Sequence, residues 1–238
     1  SQLSLTGAGA GVQILGITDP NWASVVLLAL NENGPDAGTT FDDTSNSNHT
    51  LTATGNAQWD TAQAPTGLSS SGLFDGTGDS ISAPDHANFE PGTNYTWEIW
   101  ARWNATAGEH SLIDKRSGAV LESYLIEHNG TSLLFYATSD GATWNIANGQ
   151  SIGTIGTGAW YHIEVVKSGD NWYTFLDGVQ QATWTSTLSV QNTTVRLTIG
   201  ANGANTQSFD GWLASVRLTT VARHIANFTP PPLPLPTS

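Results

Sequence analysis

The sequence predicts an all-β fold, a sandwich or barrel built from many short antiparallel strands. Strand-like segments recur about every ten residues and are separated by turns rich in Gly, Asn and Asp. Only 11% of the 238 residues are charged, and Ser, Thr, Asn and Gly take their place, which suits strands and turns better than helices. Hydrophobic residues make up 38% of the chain, which is enough to fill the core of one large domain.

The strand signals follow one another in order along the chain. Residues 25–30 form a continuous apolar run, which is typical of a strand in a sandwich core. Residues 95–103 alternate, so that Tyr95 and Trp97 lie on one face and Glu98 on the other. Asp177 and Gly178 predict a two-residue type I′ hairpin turn. The other strands are predicted at 71–76, 79–83, 110–115, 124–128, 133–138, 160–167, 172–176, 179–184, 195–199 and 212–219, with a helical turn at 220–227.

The two ends of the chain differ from its middle. Residues 1–21 are rich in Gly, Ala and Ser and carry few core-forming side chains, so we predict an extended N-terminal arm. Residues 230–238 are rich in proline, which fixes φ and removes a backbone donor, so we predict an extended C-terminal tail. Residues 22–229 have a uniform pattern and are predicted to form one domain.

The charge of the chain excludes two classes of partner. There are 20 acidic and 7 basic residues, giving a formal net charge of −13. Nucleic-acid-binding proteins carry basic stripes, and this sequence has none, so we expect no nucleic acid as a partner. The shortage of basic residues also argues against anionic membranes, and no apolar run approaches the ~20 residues of a membrane span. The absence of cysteine excludes disulfides and favours a bacterial or viral source.

Six successive segments match a known pattern. They are FDGTGDSIS at 74–82, YTWEIWAR at 95–102, GAWYHIEVVK at 158–167, FLDGV at 175–179, LTIG at 197–200 and FDGWLASVRL at 209–218. In order and spacing they resemble the laminin-G-like jelly roll of the concanavalin-A-like lectin/glucanase superfamily, over most of residues 25–220. The resemblance implies a two-sheet antiparallel jelly-roll sandwich, from which the two tails extend.

A narrower resemblance lies near the C-terminus. Residues 221–231, VARHIANFTPP, are similar to the closing segment of this domain in tailed-phage virion proteins, and residues 25–28 and 40–45 also look like the phage versions. This implies a non-enzymatic virion structural protein, a capsid decoration or head-fibre protein on the particle surface, with capsid or other virion proteins as partners. Symmetric homo-oligomers are usual for such components, a trimer being one arrangement. The arm, the tail or both would then dock to neighbouring subunits.

The alternative interpretation is a tail-associated or secreted, extracellular lectin that recognises host surface glycans. The chain contains 10 Trp residues, and sugar-binding sites stack exposed aromatic faces on pyranose rings beside a few polar groups. Trp59, Trp144 and Trp184 lie near predicted loops or strand ends. These three are therefore the candidate ligand-binding residues.

No catalytic residue is predicted. The β-glucanases of the superfamily place two Glu residues a few positions apart on one strand with an Asp between them. The best candidate pair here is Glu122 and Glu127, but Tyr124 stands at the Asp position. A spacing of five also puts the two carboxylates on opposite faces of a regular strand. Glu98, Glu164 and His162 are predicted to be outward-facing, hydrogen-bonded or packed structural residues.

One structural calcium ion is the single cofactor for which we identify candidate ligands. Asp42, Asp43 and Asn48 cluster in one loop, and calcium takes about six to eight oxygen ligands. The acidic pair that the family carries after its last motif falls on Ala214 and Ser215 here, which removes potential ligands. The alternative is Asx-turn chemistry, in which Asp and Asn side chains accept hydrogen bonds from nearby backbone N–H groups.

Overall fold

The computed structural model describes residues 18–118 and 120–238, and in these ranges fifteen strands form two antiparallel sheets around one core. The first sheet contains β1 (Val25–Ala29), β3 (Gln58–Asp60), β4 (Ser71–Asp75), β6 (Asn94–Trp103), β11 (Trp160–Ser168), β12 (Asn171–Leu176), β13 (Val179–Thr185) and β15 (Asp210–Thr219). The second contains β2 (Thr52–Thr54), β5 (Ser80–Ala83), β7 (Glu109–Asp114), β8 (Tyr124–Asn129), β9 (Ser132–Ala137), β10 (Ala147–Thr154) and β14 (Leu197–Ile199). The predicted all-β, two-sheet antiparallel jelly-roll sandwich is confirmed.

Strand order brings distant parts of the chain side by side. The first sheet runs β13-β12-β11-β6-β15-β4-β3, and β1 pairs with β15. The second runs β10-β9-β8-β7-β14-β5-β2. In the first sheet Glu98 of β6 lies opposite Glu164 of β11 on one side and opposite Arg217 of β15 on the other. Three charged side chains therefore meet on adjacent strands.

The core between the sheets is rich in aromatic side chains. Tyr95 and Trp97 of β6 point into it, as the alternation predicts. Trp97 reaches the second sheet, where its ring centroid lies 5.4 Å from that of Phe135, and it stacks on Trp172 at 6.1 Å. Burial of an apolar side chain stabilises the fold by roughly 1.5–3 kcal/mol, so this aromatic cluster holds the two sheets together.

Most predicted elements are present, and the structure differs from the prediction at four others. The Asp177–Gly178 turn has φ values of 50° and 75°, as a type I′ turn requires. The sequence reading missed β2 and β3, which are three residues each, and β10, whose pairing is irregular beside Gly149 and Gly153. The predicted helical turn at 220–227 is wrong, since this segment contains no helix. It lies across the first sheet instead, where Thr96 bonds to the Val221 carbonyl and His224 to Glu164.

The C-terminal tail packs on its own domain. Leu235 is 1% exposed and contacts Val25 and Leu28 of β1. The Asn31 side chain accepts a hydrogen bond from the Leu235 N–H at 2.8 Å and donates one to its carbonyl at 2.9 Å. Leu235 is therefore buried against its own domain and is not itself available to dock to a neighbouring subunit. Residues 1–17 of the predicted N-terminal arm lie outside the described residues.

Candidate functional site

A cleft of about 300 Å³ opens on the outer face of the second sheet, and we call it the Trp144 cleft. Strand alternation produces it. Tyr124 and Ile126 of β8 point into the core, so Leu125 and Glu127 point outward and line the cleft. The other lining residues are Glu109, Arg116, Val120, Leu121, Tyr136, Trp144 and Gln207.

Trp144 borders the cleft from the loop between β9 and β10. A turn holds this loop, because the Asp140 carboxylate accepts hydrogen bonds from the backbone N–H groups of Ala142 at 2.9 Å and Thr143 at 3.0 Å. The half-buried Trp144 ring lies 5.5 Å from the Tyr136 ring, centroid to centroid, at an interplanar angle of 52°. The two rings form an aromatic edge to a cleft that three aliphatic residues (Val120, Leu121 and Leu125) line together with four polar or charged ones.

Glu127 brings a buried carboxyl group to this cleft. The residue is 7% exposed, and no group among the described residues donates a hydrogen bond to its carboxylate. Burial raises the pKa of Glu127 to about 7; Arg116 opposes this rise, whereas Glu109 and Asp114 add to it. The group is therefore a strong acceptor without a protein donor, and it changes charge near neutral pH.

Arg116 connects the cleft to a second buried acid. Its Nη2 lies 2.6 Å from Asp114 Oδ2 and 2.8 Å from Gln207 Oε1. Burial raises the pKa of Asp114 to about 6, although Arg116 and Ser111 oppose the rise. Asp114 compensates the charge of Arg116, so the carboxyl groups of Glu109 and Glu127 determine the electrostatic character of the cleft.

The three candidate tryptophans occupy different environments. Trp144 lines the cleft, as described. Trp59 lies in the core at 1% exposed, and its Nε1 donates to the Thr40 carbonyl at 2.9 Å, so its ring offers no face to a ligand. Trp184 is half-buried and stacks on Trp172 at a centroid distance of 5.6 Å. Only Trp144 of the three combines partial exposure with a cleft in the described residues.

The loop with the candidate calcium ligands is organised by hydrogen bonds. The Asp43 carboxylate is buried and accepts hydrogen bonds from the backbone N–H groups of Leu28 at 2.9 Å, Ser45 at 3.0 Å and His49 at 2.8 Å. The bond from Ser45, two residues along the chain, is the Asx turn that the alternative interpretation predicts. Asp42 and Asn48 are exposed. Backbone donors therefore satisfy Asp43 without an ion.

Glu122 and Glu127 do not form a carboxylate pair. The Glu122 carboxylate accepts hydrogen bonds from the backbone N–H of Ser117 at 2.6 Å and from its hydroxyl at 2.8 Å, and Glu122 does not line the cleft. Tyr124 between them points into the core, and its hydroxyl donates to the Phe89 carbonyl at 3.0 Å. The arrangement differs from the two facing carboxylates that glycoside hydrolysis uses.

A second charged cluster lies buried on the outer face of the first sheet. Glu98, His162 and Glu164 offer ligand atoms within 4.8 Å of one another, a spacing that suits a metal ion. His162 Nε2 lies 2.9 Å from Glu98 Oε1, Arg217 Nε donates to Glu98 Oε2 at 2.7 Å, and His224 Nδ1 lies 2.9 Å from Glu164 Oε1. Arg217 and His224 thus already hold both carboxylates. The prediction that Glu98, Glu164 and His162 are hydrogen-bonded or packed is confirmed.

The segment after β15 covers this second cluster. His224 stacks on Phe228 at a centroid distance of 3.6 Å, and Phe228 meets His162 edge-on at 5.6 Å. Asp19 closes the cluster from the other end of the chain, since its Oδ2 accepts from Arg217 at 3.1 Å and from Arg223 at 2.6 Å. The segment that resembles the phage closing motif therefore buries a network of charges within the domain.

The sequence reading did not assign Glu109, Arg116 and Glu127 to a binding site. The alternation of β8 does indicate that Glu127 points away from the core. The pairing of β7 with β8 shifts register between Ser111 and Ile113. Because of this bulge β7 lacks a regular alternation, so the sequence does not indicate that Glu109 lies on the same face as Glu127.

Comparison with known proteins identifies the family and the fold. The Laminin_G_3 model, described as the concanavalin A-like lectin/glucanases superfamily, matches residues 75–226. No curated protein sequence matches the chain. Among the helices of the described residues, none is long and apolar enough to cross a membrane.

Several solved structures share the fold at low sequence identity. The binding domain of Paraclostridial Mosquitocidal Protein 1 has a TM-score of 0.67 at 13% identity, over 85% of this chain and 50% of that one. The binding domain of botulinum neurotoxin DC in complex with rat synaptotagmin II has a TM-score of 0.65 at 14% identity, over 85% of this chain and 50% of that one. The same domain in complex with SialylT has a TM-score of 0.62 at 13% identity, over 85% of this chain and 49% of that one. The chain spans about half the length of these structures. With a family model matched over more than half of its length, the chain belongs to the concanavalin A-like lectin/glucanase superfamily.

Proposed function

We propose that this protein is a non-catalytic carbohydrate-binding module and that the sugar occupies the Trp144 cleft. The observation that carries the proposal is the combination of a half-buried aromatic pair, Trp144 and Tyr136, with the polar groups of Glu127 and Gln207 in one concave site. Sugar-binding sites need both features, because a pyranose ring has an apolar face and a rim of hydroxyl groups.

The size and chemistry of the cleft support a short glycan. Its volume of about 300 Å³ lies at the lower end of the range for small-molecule sites, roughly 300–1,000 Å³. Glu127 accepts hydrogen bonds from hydroxyl groups, and the Gln207 side chain offers both a donor and an acceptor. The ring of Trp144 supplies the stacking surface, so the contacts that fix orientation and those that supply contact area come from different residues.

A binding role without a chemical step is supported by the positions of Glu122 and Glu127, the pair that the sequence offers as glucanase acids. In a retaining glycosidase the two carboxyl groups lie about 5–5.5 Å apart across the bond that is cleaved. Here Glu122 is bonded to Ser117 and Glu127 alone of that pair lines the cleft. The structural neighbours named above are binding domains, which supports the same conclusion by likeness of fold.

A glycan array followed by calorimetric titration tests the proposal. We expect saturable binding by the wild type and a loss of affinity of about 5- to 30-fold in Trp144→Ala, since aromatic stacking is worth about 1–2 kcal/mol. Trp160→Ala is the matched control, because Trp160 is also half-buried but lies in β11 of the other sheet. Absence of binding across the array would overturn the proposal, as would equal loss in both variants.

We further propose a place for this module on the surface of a phage particle, as a virion structural protein such as a capsid decoration or head-fibre protein. The support is the closing segment at residues 221–231, whose contacts to Glu164 and Phe175 make it an integral part of the domain. Purified particles should contain the protein in fixed stoichiometry by quantitative mass spectrometry. Particles that lack it would overturn this placement and leave the sugar-binding proposal standing.

The N-terminal arm is the proposed docking segment on the particle. Because Asp19 is bonded to Arg217 and Arg223, the informative deletion removes residues 1–17 and leaves Asp19 in place. We expect this deletion to abolish incorporation into particles while the melting temperature of the free domain stays unchanged. Normal incorporation would show that the arm is not the docking segment.

A further inference from the structure

Glu127 presents its carboxylate to the Trp144 cleft without a donor from the described part of the chain. The residue is 7% exposed, it lines the cleft, and no described residue donates a hydrogen bond to its carboxylate. Its two oxygens are not fully buried, so they reach solvent through the cleft. A ligand that binds here must therefore offer Glu127 a stronger donor than water does.

The surroundings of Glu127 make the cleft electrostatically negative. Glu109 lines the same cleft, and its carboxylate accepts from Asn129 at 2.8 Å and from Gln207 at 3.3 Å. The one cation of the lining, Arg116, has its charge compensated by Asp114, with Nε at 3.0 Å and Nη2 at 2.6 Å from Asp114 Oδ2. The field that remains at the opening favours a cation and opposes an anion.

This inference rests on the sugar-binding function proposed above: we infer that the Trp144 cleft selects amino sugars with a free ammonium group, which donates to Glu127 while the pyranose ring stacks on Trp144. An ammonium group has three donors and no acceptor, which complements the two free oxygens of a carboxylate. Charge-assisted bonds of this kind are among the stronger ones in proteins. A sialic or uronic acid instead adds another carboxylate beside Glu109 and Glu127, and like charges across a binding site suppress binding.

The protonation behaviour of Glu127 agrees with a cationic partner. Burial raises its pKa to about 7, so without a ligand the group is partly protonated at neutral pH. A nearby positive charge favours the carboxylate form. An N-acetylated sugar lacks this charge and leaves Glu127 to bond with neutral donors alone.

Calorimetric titration with three oligosaccharides tests the inference. The probes are a tetramer of glucosamine, the tetramer of N-acetylglucosamine and sialyllactose, all at neutral pH and low salt. We expect the glucosamine tetramer to bind about 10- to 100-fold more tightly than the acetylated one, and sialyllactose not to bind. Glu127→Gln should remove this preference while it retains binding of the acetylated tetramer. Asp170→Asn, which changes an exposed acid between β11 and β12 of the other sheet, should keep the preference.

The outcomes separate this inference from the proposal beneath it. Equal affinity for both tetramers, with dependence on Trp144, would overturn the selectivity and leave the sugar-binding function intact. Failure of every oligosaccharide to bind the folded protein would overturn both. A net charge of −13 attracts any polycation, so tetralysine serves as a competitor without a sugar ring. Displacement of the glucosamine tetramer by an equal concentration of tetralysine would also overturn the inference.

Discussion

Substitution of Arg217 by methionine should destabilise the domain strongly. Arg217 is 3% exposed, its Nε donates to Glu98 at 2.7 Å and its Nη1 to Asp19 at 3.1 Å, and Glu98 is fully buried. Methionine fills most of the space but leaves the Glu98 carboxylate without its main cation. Removal of one partner from a buried ion pair costs about 3–5 kcal/mol, a large part of the roughly 5–15 kcal/mol that stabilises a typical domain.

The assay is urea denaturation followed by tryptophan fluorescence at pH 7. The Arg217→Met variant should lose about 3–5 kcal/mol of unfolding free energy with an unchanged m value. The control is the double variant Glu98→Gln, Arg217→Met, which removes the uncompensated charge together with its partner and should recover much of the loss. A loss below about 1 kcal/mol in the single variant would refute the reasoning.

The pH dependence of the same variant gives an independent check. Burial acts to raise the pKa of Glu98, but Arg217 and His162 outweigh it, and the pKa lies well below its usual value of 4.5. A depressed pKa in the folded state contributes stability above about pH 4.5, and this contribution is lost as the pH falls further. Without Arg217, burial dominates and the pKa rises. The deficit of the variant should therefore be largest at pH 7 and shrink towards pH 4.

Three further predictions concern other parts of the molecule. The pKa of Glu127 is raised to about 7 in the folded state, so the free energy of unfolding should fall as the pH rises from about 4.5 to 7 and the carboxyl group ionises. In urea titrations at pH 5 and pH 8, Glu127→Gln should remove about 1–2 kcal/mol of this fall in stability. An equal fall in stability in the wild type and the variant would contradict the prediction. Leu235→Ala should cost about 2–3 kcal/mol and increase amide exchange in residues 230–238, whereas unchanged exchange would show that Leu235 does not hold the tail. Calcium at millimolar concentration should leave the melting temperature unchanged, because backbone N–H groups already satisfy Asp43; a rise of several degrees would establish a calcium site in that loop.

Sequence patterns predicted the parts of this fold that depend on local periodicity. The alternation of β6 placed Tyr95 and Trp97 in the core, and the Asp177–Gly178 pair gave the hairpin turn. Trp59 was misplaced because β3 is three residues long, too short to show a period. Its burial depends on a distant loop, in which the Thr40 carbonyl accepts the bond from its indole N–H.

The outer faces of the two sheets were harder to predict than the core. Strand periodicity tells which side chains leave the core, but what covers them is set by segments far away in the chain. Glu98 is buried because Arg217 of β15 pairs with it and Asp19 closes the cluster from near the N-terminus. Glu127 shares its cleft with Arg116 and with Trp144, which lies in the loop between β9 and β10. Such long-range coverage leaves no periodic signal in the sequence.

The central claim, that a sugar occupies the Trp144 cleft, is tested most directly by nuclear magnetic resonance. A spectrum of the 15N-labelled protein resolves the indole N–H groups, and a glucosamine or N-acetylglucosamine tetramer is then titrated in. We expect saturable shifts for the indole of Trp144 and for the amides of Glu127 and Tyr136, with the indole of Trp160 unchanged. Saturable shifts that are confined to the first sheet, or no shift at any ligand concentration, would contradict it.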